Sequence, residues 1–223
     1  MPKNQSFTRA TLKTPKAAAI AGVVFSVLLI TIIWLLRNSI PYDPLEPGKW
    51  LATNAKTAAL ALNLIPFAGV AFLWFIGALR DRLGQLEDRF FATVFFGSAL
   101  LFLAMVFGAA AALGAVILAA SSAGPDVMSS SGAFQIARAT AYITMNVYAI
   151  KMAAVFMIST STVIIYTAIA PRWIAILGYA LATILLFGSY YMSWSFAVLP
   201  VWVLLISCYM LVDNFRQPNQ VQQ

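Results

Sequence analysis

The sequence predicts an all-α fold, a polytopic transmembrane helical bundle of six spans with both termini cytoplasmic. Three observations carry that expectation. The 223 residues are 62% hydrophobic and only 9% charged, where a soluble domain carries about 25% charged residues. The apolar residues come in runs of about twenty, the length of helix that crosses a bilayer. The charges, a net +7, sit in the gaps between runs, as topology signals and contacts with anionic lipid do. That distribution argues against nucleic acid as a partner and for membrane lipids.

Residues 1–16 are polar and basic, with Lys3, Arg9, Lys13 and Lys16 and no acid. The first span is expected over 17–36. Its alanines come first and it ends Trp-Leu-Leu-Arg, whereas a signal peptide has a shorter apolar core ending in small residues. An uncleaved span is the reading, with a transit peptide as the alternative. In the connector 38–56, Pro41, Pro44 and Pro47 recur every third residue, which favours extended polyproline geometry. It reads as a stiff strip on the membrane surface, Tyr42 and Trp50 lying in the interface. Thr53 or Asn54 is suited to cap the next helix.

The second span, 57–79, contains Asn63, a candidate for a hydrogen bond across helices, and Pro66, which frees a backbone carbonyl and tends to kink the axis. The turn that follows carries Arg80, Asp81, Arg82, Glu87, Asp88 and Arg89. It is a candidate docking turn for a cytoplasmic partner. The plainer reading is that its charges cap two helix ends and pair with one another, each pair worth about 0–1 kcal/mol. The third span, 90–120, is about 45 Å long at about 1.5 Å per residue. Ala104, Gly108 and Ala112, then Ala110 and Gly114, are four apart, which permits close helix approach. A protein partner or a second copy of the chain packed on such small-residue faces is therefore expected as well.

A Ser/Gly/Pro loop is expected over 121–132. For 133–170 two readings stand: a long or bent helix, or an interfacial amphipathic helix followed by a span. At about 100° per residue, Gln135, Arg138, Tyr142 and Asn146 share a face and Lys151 falls nearly opposite. Pro171 and Arg172 bend the chain into the fifth span, 173–191, with Gly178 and Ala182 four apart. The sixth, 196–212, holds Pro200 and Cys208, and a polar tail occupies 213–223.

With the amino terminus cytoplasmic, Lys3, Arg9, Lys13, Lys16, Arg80, Arg82, Arg89, Arg172 and Arg216 collect on that side. Arg37, Lys49 and Lys56 fall opposite, with Arg138 and Lys151 near the outer boundary, so the basic residues favour this orientation. Trp34, Trp50 and Trp194 mark the outer boundary, Trp74 and Trp173 the inner one.

Chemistry is sparse. The chain has no histidine and one cysteine, which removes cysteine–histidine zinc sites, internal disulfides and histidine-ligated haem. No span holds a carboxylate, which disfavours proton- or cation-coupled transport. No catalytic, cofactor-binding or metal-binding residues are expected, and no enzyme. Lys151 either snorkels to headgroups or joins a candidate polar cavity made by Asn63, Arg138, Tyr142, Asn146 and Lys151. Phe72, Trp74 and Phe75 with Phe90, Phe91, Phe95 and Phe96 read as packing and interfacial anchoring.

The segments NLIPFAGVAFLWFIGALRDRLGQLEDRFFATVFFGS (63–98), NVYAIKMAAVFMIST (146–160) and APRWIAILGYALA (170–182) resemble a family of uncharacterised multi-span membrane proteins from actinobacteria and other bacteria. The likeness covers roughly the middle two-thirds of the chain. It implies a bacterial plasma-membrane location and transfers no activity, cofactor or site. The expected role is a non-enzymatic accessory, scaffold or lipid-interacting component; the alternative is a transporter or channel for a small neutral or anionic solute.

Overall fold

A computed structural model describes residues 14–83, 89–188 and 194–216. These are helical apart from short connections, and no strand occurs among them. The elements are α1 (Thr14–Ser39), α2 (Trp50–Thr53), α3 (Ala55–Leu83), α4 (Arg89–Ala123), α5 (Pro125–Ser129), α6 (Gly132–Ile143), a π-helical turn (Thr144–Ala149), α7 (Ile150–Thr167), α8 (Arg172–Gly188) and α9 (Ser195–Arg216). Among the described residues five helices are long and apolar enough to cross a membrane: α1, α3, α4, α9 and the continuous helix from Gly132 to Thr167. α8 is apolar and is described over 17 residues, Arg172–Gly188.

Two connections differ from the sequence expectation. Backbone N–H groups of Glu46 and Lys49 donate to Asp43 and Pro47 carbonyls, so 43–49 folds into turns instead of an extended polyproline strip. Trp50 is 3% exposed and packs on Phe134, ring centroids 6.5 Å apart; it is a core residue and not an interfacial anchor. The loop expected over 121–132 is mostly helix. The fourth helix runs on to Ala123, Gly124 breaks it at φ 92°, and Pro125 opens α5, where its missing N–H leaves no bond unmade.

From Gly132 to Thr167 the helix is unbroken. Its π-helical turn holds one residue more than an α-helix would. It ends at Ala168, whose φ of 51° is left-handed, just before Pro171.

The core forms where α1 lies along α3 and α9, and where α7 lies between α4 and α8. Phenylalanine rings fill it. Phe72 of α3 meets Phe25 of α1 at 4.4 Å, Phe102 of α4 at 5.5 Å and Phe156 of α7 at 5.1 Å between centroids. Phe75 and Phe95 are buried in the same cluster, while Trp74 faces outward. At Gly178 a Cβ would collide with Ser161 of α7 and Trp202 of α9, so absence of a side chain there lets α7, α8 and α9 meet. Trp202 Nε1 donates to Ile174 O at 3.3 Å across the same junction.

The outward faces are apolar too. Ile20, Val24 and Val27 on α1, Leu60, Phe67 and Val70 on α3, and Ile176 and Phe187 on α8 are exposed. In water such surfaces would drive association; against lipid tails they are at equilibrium.

Candidate functional site

The turn after Pro41 brings the carboxyl end of α1, the following loop, α6 and the start of α9 to one end of the bundle. Between them is a cleft of about 430 Å³. Ile33, Leu36, Ile40, Leu113, Met145 and Phe196 supply its apolar lining, and Arg37, Tyr42, Arg138, Tyr142 and Asn146 its polar lining. Three of the five residues expected in a polar cavity, Arg138, Tyr142 and Asn146, are thus together.

Arg138 is 3% exposed. Its Nη2 donates to Pro41 O and to Asp43 O, both at 2.7 Å, so the guanidinium ties the loop to α6. Such charge-assisted bonds are worth about 1.5–3 kcal/mol each. The guanidinium carbon lies 5.9 Å from the Phe134 ring centroid. Its Nη1 is buried without a hydrogen-bond partner. Asp43 and Glu46 act on this charge through space, but the Asp43 carboxylate accepts from its own loop, from Leu45 N–H at 2.9 Å. Beside it, Tyr42 and Tyr142 hydroxyls are 3.4 Å apart with rings edge to face. Asn146 Nδ2 donates to Tyr142 O at 3.0 Å.

Asn63 and Lys151 are elsewhere. Asn63 is on the exposed face of α3, not among the cleft residues. Lys151 Nζ donates to Leu185 O at 3.2 Å and to Leu186 O, backbone carbonyls of α8, so the ammonium ties α7 to α8. Lys151 is therefore engaged by protein and does not reach toward headgroups.

The docking turn is partly outside the described residues, which omit Glu87 and Asp88. Asp81 and Arg82 lie in α3 and Arg89 lies in α4. Arg80 places its guanidinium 5.6 Å from the Phe96 ring centroid. Phe90 and Phe91 lie in α4, their side chains outside the described set. Of the small residues of α4, Ala104 and Gly108 are exposed and Ala110 and Ala112 pack against the buried clusters, while Gly178 and Ala182 of α8 are buried.

Arg37 and Tyr42 were not singled out as site residues by sequence. The available signal was topological: both follow the first span on the side assigned to Arg138. No family model matches the chain, and no curated protein or solved structure is significantly similar to it. The resemblance to multi-span bacterial proteins rests on the quoted segments alone.

Proposed function

We propose that this chain is a multi-pass protein of a bacterial plasma membrane, with six spans and both termini cytoplasmic, that acts by binding lipid and not by catalysis. The observation that carries the reading is one cleft joining an apolar wall to a buried, incompletely hydrogen-bonded arginine. Clefts of about 300–1,000 Å³ with a few fixed polar groups are typical of small-ligand sites, and 430 Å³ holds a headgroup and the start of a chain. In the proposed topology the cleft opens at the outer boundary, where such a ligand would be half in water. α8 supplies the fifth of the six spans in this topology.

Ring contacts run from Phe196 in the cleft wall to Phe102 at 6.2 Å and on to Phe72. Continuous apolar packing supports a binding site more than a conduit. Extraction in a mild detergent followed by mass spectrometry of bound lipids tests this. A lipid species should be retained above its membrane abundance, and Leu36→Trp, which fills the cleft, should release it. Equal lipid content in both proteins, or solute uptake that depends on the chain, would reject the reading.

A further inference from the structure

Resting on the lipid-binding reading, we propose that the polar end of the cleft is a phosphate subsite, with Arg138 and Arg37 holding a phosphate group borne on a hydrocarbon chain. Arg138 is the anchor. Its Nη2 is occupied by Pro41 O and Asp43 O, and its Nη1 is buried and unpartnered. A buried donor on a charged group is costly to leave unmade, so an acceptor brought by a ligand has a large driving force.

Among the described residues the charge is met by the Pro41 and Asp43 carbonyls, while the Asp43 and Glu46 carboxylates act on it through space. Asp43 and Glu46 are exposed on the loop, where water and salt screen them. The second guanidinium, Arg37, lines the same cleft from α1. Planar guanidinium forks match phosphate oxygens bidentately. A phosphate monoester carries about −1.5 to −2 at neutral pH, which answers two cations where one carboxylate would answer one. A zwitterionic head brings its own cation against both arginines. The apolar wall of Ile33, Leu36 and Met145 is suited to the first carbons of the chain.

The test uses the full chain in phosphatidylcholine nanodiscs with and without phosphatidic acid, reading lipid bound in the cleft by photocrosslinking and peptide mapping. Phosphatidic acid should label the cleft in preference to phosphatidylcholine. Arg37→Gln and Arg138→Lys should each weaken that labelling at least about tenfold, as expected for loss of a charge-assisted contact. Arg37 is exposed, so its variant keeps the test valid if Arg138→Lys fails to fold.

Inorganic phosphate competing as well as a short-chain alkyl phosphate would support the subsite and assign it to the soluble ion. Cleft labelling that is equal for both lipids, or unchanged in both variants, would overturn the phosphate subsite and leave lipid binding standing. No cleft labelling by any lipid would overturn both.

Discussion

Arg138 and Lys151 stand in the same unbroken helix, each with its charge turned to backbone carbonyls, yet the two regions are built for different ends. Lys151 donates to two carbonyls of a neighbouring helix and ties it to α7. Arg138 clasps a loop, retains an unpartnered nitrogen and borders open space. The difference teaches that a charge in an apolar helix marks a binding site only where donors outnumber the acceptors that the fold provides and a cavity adjoins them. By sequence alone the two belonged to one candidate cavity, with Lys151 the charge nearer the hydrocarbon.

The comparison can be broken by substitution. Arg138→Leu removes two charge-assisted bonds and should cost about 3 kcal/mol, with loss of retained lipid; unfolding in detergent and lipid analysis measure the two effects. A Gly178→Val chain should lose about 1–3 kcal/mol through overpacking against Ser161 and Trp202, with lipid retention intact at a temperature where it is folded. Lys151→Met should lower stability by about 1–2 kcal/mol through loss of its charge-assisted bonds while leaving the lipid bound. If it released lipid as Arg138→Leu does, the distinction between tie and site would fail. Removing the hydroxyl of Thr162, which is 2.7 Å from Tyr179 Oη, should cost only about 0.6 kcal/mol in Thr162→Val. Least of all, Asn63→Ala should change stability by under about 0.5 kcal/mol, since its side chain faces outward.

The helical class and the long apolar segments were legible because both follow from hydrophobic run length. So was the shared face of Arg138, Tyr142 and Asn146, which needs only helical periodicity. Which way a face points was not legible. Lipid-facing surface is as apolar as core, so pattern could not send Asn63 outward or Trp50 inward. Trp50 owes its burial to Phe134, distant in sequence and brought near by the fold. The carbonyls of Pro41 and Asp43 that receive Arg138 were hidden for another reason: backbone acceptors exist at every residue, and only the turn geometry aims these two. The helical extension to Ala123 was masked by serines and a glycine, which signal a loop locally but can occupy a helix end.

The wide turn at Thr144–Ala149 sits between the two cations. A π-helical turn takes up its surplus residue by widening locally, so the α-helix on either side keeps its facing. The widened turn carries Met145 and Asn146, both part of the cleft wall. Deleting Val147 would restore ordinary winding and reshape that wall while Arg138 and Lys151 kept their partners, so one residue of helix length sets the shape of the mouth and not its place.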